Sequence, residues 1–169
     1  GTLQARYIRG ASGDKPYTLG KYESTRIRAA IAELAANGGV PMGFYTRFTD
    51  PGARKVITQY YQFIQRHDAI YRRNRSHAEA VLLFPRKSVH AGDVGPVEAF
   101  RQTGRALLDR HVLFDILPDD LAAADRLSGY SKVYKAGDGA QEGQAKFFAP
   151  PTVRVSASRP ATGDALHFH

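Results

Sequence analysis

Apolar positions along this chain switch between a helical and an extended period. Ile27, Ala30, Ile31 and Leu34 fall at i, i+3, i+4 and i+7, the spacing that lines one side of an α-helix. Ser24 or Thr25 offers a side-chain oxygen to the unpaired N–H groups at its start, and Asn37-Gly38-Gly39 supplies a left-handed stop. On either side stand β-prone runs: Tyr17-Thr18-Leu19, closed by Gly20, and Val40 to Tyr45, where Pro41 confines the strand to an edge or marks its first residue. The expected unit is strand, helix, strand. Residues 1 to 15 are polar and Gly-rich and predict no firm element.

A second helix opens at Asp50-Pro51, a capping carboxylate followed by proline at the first helical position. Val56, Ile57, Tyr60, Tyr61, Ile64 and His67 stripe one side of it to about Tyr71, and Arg72-Arg73-Asn74-Arg75 places cations at the negative end of its dipole. Ala80-Val81-Leu82-Leu83-Phe84, halted by Pro85, is a continuous apolar run, as in a strand covered on both faces. From Asp93 a third helix carries Val97, Phe100, Gly104, Leu107 and Leu108 on one face, with Gly104 allowing close approach to a sheet. Val112 to Leu117 is the next strand, Pro118-Asp119-Asp120 starts a short helical turn, and Ser131 to Tyr134 is a third strand. Strands joined through helical crossovers imply a parallel α/β layer.

The pattern then breaks. Residues 136–146 lack periodicity and read as a connector, while Thr152 to Ser156 and Ala165 to His169 alternate strictly around the turn residues Pro160 and Gly163, predicting a β-hairpin. No internal repeat is present. The opening Gly1-Thr2-Leu3 and the alternation at the last residues lead to the expectation that the chain is a piece of a longer protein.

Composition narrows the chemistry. The 169 residues include no cysteine, which excludes disulfides, thiolate zinc sites and cysteine nucleophiles. Lys+Arg is 24 against Asp+Glu 16, a formal charge of +8 that favours acidic partners or solubility. No apolar stretch reaches the roughly 18 residues of a membrane span, so the chain reads as soluble, with the cytoplasm slightly favoured and no membrane partner.

Three segments carry a resemblance. Ile31 to Pro41, with its Ala35-Ala36-Asn37-Gly38-Gly39 helix end, resembles the last helix-to-strand connection of glycoside hydrolase (β/α)8 barrels. His77 to Leu117, with Leu82-Leu83-Phe84-Pro85 and Leu113-Phe114-Asp115-Ile116-Leu117-Pro118, resembles the trimerisation domain of one group of β-galactosidases, which is similar to a class I glutamine amidotransferase fold without its catalytic residues. Val153 to Pro160 resembles the first strand of the β-domain that follows in such enzymes. The resemblance implies three modules: barrel strands and helices over 1–75, a reduced flavodoxin-like α/β domain over 76–136, and a linker with the start of a β-domain over 137–169. Where a complete amidotransferase-like domain has further strands and helices, between Tyr134 and Pro150, this sequence has none.

The resemblance also implies the chemistry. Chemistry in (β/α)8 barrels sits at the C-terminal ends of the strands, and Tyr17 to Glu23 has the form of the penultimate strand and its loop, which makes Glu23 the candidate nucleophile of a retaining glycosidase. Tyr22, Tyr45 and Arg47 are candidates for holding a sugar ring. The acid/base carboxylate would come from a middle strand absent here, so the isolated chain is expected to be inactive and mainly structural, forming homo-oligomers through its α/β domain, with a carbohydrate substrate in the parent protein and no cofactor. Three of these also have a plainer reading: Glu23 as an acidic residue favourable to a helix start, Tyr45 as a packing ring, and Arg47 as a solvated cation, and Tyr22 is the weakest of the four.

Other constellations are weaker. His67, His77, His90, His111, His167 and His169 assemble no ligand set, and no metal is expected. Asp115 lies inside an apolar strand and needs a partner. Arg66, Arg72, Arg73 and Arg75 with Tyr60, Tyr61 and Tyr71 make the best case for nucleic acid, but helical spacing assigns the tyrosines to packing and disfavours that partner. The 78–117 unit lacks a Gly-rich phosphate loop. A non-catalytic, flavodoxin-like interaction module is the alternative function.

Overall fold

The computed structural model describes residues 1–13, 15–21, 26–40, 43–44, 49–72 and 74–136. The chain is mixed α/β. It opens with a helix that the hydrophobic pattern does not predict, α1 (Thr2–Ser12). Its apolar residues serve two cores and so form no single stripe. Leu3 and Tyr7 pack against one cluster, while Ala5 and Ile8 join Tyr17 and Leu34 in another.

β1 (Gly20–Lys21), α2 (Ile27–Ala36) and β2 (Gly43–Phe44) form the expected strand-helix-strand unit. The strands are parallel, with Gly20 paired to Gly43 and Lys21 to Phe44. The Val40 N–H donates to the Tyr17 carbonyl at 2.8 Å in the same register, so Tyr17 joins the pairing although the regular strand begins later than expected. Ser24 and Thr25, the expected caps of α2, lie outside the described residues. Its end matches expectation: Gly38 adopts φ 82°, and the Gly39 N–H closes onto the Leu34 carbonyl at 2.9 Å.

α3 (Pro51–Arg66) starts as predicted, with the Asp50 carboxylate accepting from the Gly52 N–H at 2.8 Å. Ala53 and Ile57 are its buried residues. The single helix expected to reach Tyr71 is instead two, because the backbone leaves helical geometry at His67 (φ −108°, ψ 23°) before α4 (Asp68–Tyr71). His67 is exposed and stacks on Phe63 rather than continuing the apolar stripe.

The second sheet contains β3 (Ala80–Phe84), β4 (Phe114–Pro118) and β5 (Lys132–Tyr134), all parallel, in the order β4-β3-β5. Between β3 and β4 come α5 (Arg86–His90), a short helical turn, and α6 (Gly95–Asp109), whose first N–H is held by the Asp93 carboxylate at 2.9 Å. Pro118 closes β4, and the helical turn expected from Pro118 comes later as α7 (Ala124–Leu127).

Ala80, Leu82, Phe114 and Ile116 face one side of this sheet and meet Phe100 and Leu107 of α6. Val81 and Leu117, which point to the other side by strand alternation, are also buried. β3 is thus covered on both faces, as its unbroken apolar run predicts. A Cβ at Gly104 would press on Leu3 of α1 and touch Leu82 of β3, so the small residue lets α6 lie close to α1. α1 itself runs along the outer edge of β4: a Cβ at Gly10 would collide with the Ile116 carbonyl, and Arg6 donates to the Phe114 carbonyl. An edge strand with open carbonyls invites unwanted pairing, and α1 closes this one.

Candidate functional site

Three places follow from this frame, and strand direction sorts them. The sequence candidates Tyr22, Glu23, Tyr45 and Arg47 lie outside the described residues. The strands that lead to them do not. Lys21 and Phe44 are register partners at the C-terminal ends of parallel neighbours, and Tyr22 and Tyr45 are the next residues in sequence. Adjacent strands stand about 4.8 Å apart, so Lys21 and Phe44 close the two strands side by side at one end of the sheet.

The C-terminal ends of β3 and β4 are the place where open α/β sheets usually bind ligands. Here the chain's own groups meet across them. The Arg86 guanidinium donates to Asp120 through Nε at 2.9 Å and through Nη2 at 2.6 Å. The Asp119 carboxylate accepts from the Lys87 N–H at 3.0 Å, and the Asp119 N–H donates to the Phe84 carbonyl at 3.0 Å. The Arg86 hydrogen bond holds the Asp120 carboxyl below its ordinary pKa and, reciprocally, raises that of the guanidinium. This lock joins the loop after β3 to the turn after β4.

The N-terminal ends of the strands are more open and more charged. α2 ends there, and its last carbonyls are met from three directions: the Tyr17 hydroxyl donates to Asn37 O at 2.8 Å, Arg9 to the same oxygen at 3.3 Å, and the Asn74 amide to Ala36 O at 3.3 Å. A cation at the C-terminal end of a helix also suits its dipole. Arg6 bridges further, from Asn37 Oδ1 at 3.2 Å to the Phe114 carbonyl at 2.8 Å. Burial lowers the Arg6 pKa, and the nearby Asp115 charge acts in the opposite sense. Burial likewise raises that of Tyr17, with Arg9 opposing.

Asp115, expected to need a partner, has two. Ser76 Oγ donates to one carboxylate oxygen at 2.6 Å and the Tyr130 hydroxyl to the other at 2.8 Å. Around these groups opens a cleft of about 1320 Å³ whose lining includes the cations Arg6, Arg9, Lys15, Arg72, Arg75 and Arg126, with the carboxylates Asp68 and Asp115. Sequence reasoning finds Arg72, Arg75 and Asp115 but not Arg6 or Arg9, because it places no helix at residues 2–12. Arg6-x-x-Arg9 at helical spacing was the available signal.

The basic cluster read from the sequence divides. Arg72 pairs with Asp68 at 2.5 Å and lines the cleft with Arg75, whereas Arg66 ends α3. Among the described residues no group of three or more His, Asp or Glu side chains could hold a metal, and no helix is long and apolar enough to cross a membrane. No family model, curated protein or solved structure matches the chain.

Proposed function

We propose that this chain is part of a glycoside-hydrolase-like, β-galactosidase-like protein. It contributes the closing strands of a (β/α)8 barrel and a reduced, glutamine amidotransferase-like α/β domain, and its own role is mainly structural and oligomerising. The observation that carries the reading is the parallel register of β1 and β2 across α2. Lys21 and Phe44, which precede Glu23 and Tyr45 in sequence, close adjacent strands at the C-terminal end, the end at which barrel enzymes do their chemistry. Two parallel two-residue strands bury little by themselves, and parallel strands ordinarily lie within a larger covered sheet.

In this reading Glu23 is the nucleophile and Tyr22, Tyr45 and Arg47 hold the sugar. A retaining mechanism needs a second carboxyl group about 5 Å from the first, supplied by another strand of the barrel. The chain alone therefore should not turn over chromogenic galactosides or fucosides. A protein carrying the complete barrel should, and Glu23→Gln in it should abolish turnover with the fold intact. Unchanged turnover in that variant refutes the assignment.

The alternative, a non-catalytic flavodoxin-like interaction module, draws support from the Arg86–Asp120 lock, which fills the usual ligand end of the second sheet with the chain's own side chains. Both readings give the α/β domain an assembly role. Sedimentation of the chain should show a concentration-dependent oligomer; a strict monomer at high concentration counts against that role.

A further inference from the structure

We propose that the cleft at the N-terminal ends of the strands binds an acidic oligosaccharide, a glycan bearing sulfate or carboxylate groups beside free hydroxyls. The lining residues precede the strands: Lys15 and Tyr17 precede β1, Gly38 to Val40 precede β2, Ser76 precedes β3 and Tyr130 precedes β5. Both sheets thus turn the same end toward it.

Charge is the first argument. Among the described residues, six cationic side chains line the cleft against two carboxylates, of which Asp68 is paired with Arg72. Arg6 and Arg126 are oriented by carbonyl oxygens, those of Phe114 at 2.8 Å and Gly10 at 2.9 Å. A carbonyl fixes the direction of a guanidinium without cancelling its charge, and a planar guanidinium held in place matches sulfate and carboxylate geometry. Lys15 and Arg75 stand exposed at the rim.

Size and polarity choose the ligand class. At about 1320 Å³ the cleft exceeds the roughly 300–1,000 Å³ usual for small-molecule sites, which suits an extended chain. Its lining is mixed. The Asp115 carboxylate, with Ser76 and Tyr130 hydroxyls against it, offers acceptors to sugar hydroxyls. A phosphodiester backbone brings oxygen acceptors and negative charge, and would be repelled by Asp68 and Asp115 where a sugar hydroxyl would donate to them.

The test is fluorescence anisotropy of this chain with four labelled probes: a heparin-derived hexasaccharide, a galacturonate hexamer, a neutral galactose-based hexasaccharide and an oligothymidylate. At least one acidic glycan should bind saturably and more weakly as salt rises, the heparin and galacturonate arms separating sulfate from carboxylate recognition. The neutral hexasaccharide should bind far more weakly. Lys15→Gln with Arg75→Gln should weaken binding about tenfold, a modest figure because both cations are exposed. Lys87→Gln with Arg105→Gln removes the same charge outside the cleft and should leave affinity unchanged. Failure of both acidic glycans to bind, equal binding of the neutral one, tighter binding of oligothymidylate, or an equal loss in the charge-matched control overturns the proposal. None of these outcomes depends on Glu23.

Discussion

The Arg6 guanidinium lies 4.5 Å from the centroid of the Phe114 ring and donates to the same residue's carbonyl at 2.8 Å. One side chain thus covers the ring and the open backbone edge at the start of β4, while its Nε holds Asn37 beyond the end of α2. Arg6 is a fastener between the two α/β units. Replacement by methionine should keep much of the packing but lose both hydrogen bonds and the contact with the ring, destabilising the chain by about 2–3 kcal/mol in urea unfolding. Lysine should recover little, since an ammonium does not reproduce the fork that reaches Asn37 and Phe114 together.

Gly10 sets how closely α1 lies on β4. A methyl group there collides with the Ile116 backbone, which cannot swing aside as a side chain can. Gly10→Ala should therefore cost about 2–4 kcal/mol, although alanine is intrinsically the better helix former by about 1 kcal/mol. Gly129, which has open space where a Cβ would stand, is the comparison. Alanine at that position should change stability by no more than about 0.5 kcal/mol.

The Arg86–Asp120 lock predicts a pH dependence. Its hydrogen bond lowers the Asp120 pKa in the folded chain, so the stability it supplies is complete above the unfolded value of about 3.9 and is lost as pH falls through the lower folded value. Asp120→Asn should consequently lower Tm at neutral pH, and the difference from the parent chain should shrink as both are acidified below about pH 4. A gap in Tm that stays constant across that window would mean that the carboxylate charge contributes nothing.

How much of this was legible in the sequence depends on how each residue is partnered. β3 and α6 follow from their own patterns, because Leu82, Phe100 and Leu107 bury against one core. The break at His67 is not visible in the stripe from Val56 to Ile64, since a ring at a helical position can pack on Phe63 in either geometry. α1 escapes detection because Leu3 and Tyr7 point to one core and Ala5 and Ile8 to another, and these few apolar residues sit in a stretch that is polar overall. The basic cleft was half legible for the same reason. Arg75 and Asp115 stand out in the sequence, but Arg6 and Arg9 gain meaning once a helix places them beside the end of α2. The barrel-end candidates rest on the resemblance and on the register of β1 with β2.

Covalent trapping tests the proposed role of Glu23 as the nucleophile of a retaining glycosidase. A protein carrying the complete barrel would be treated with an activated 2-deoxy-2-fluoroglycoside, which forms a slowly hydrolysed bond with the nucleophilic carboxylate, and then digested with trypsin for mass spectrometry. The added mass should appear on the peptide Tyr22 to Arg26, where Glu23 supplies the carboxyl side chain. Full inactivation with the label on another peptide would contradict it.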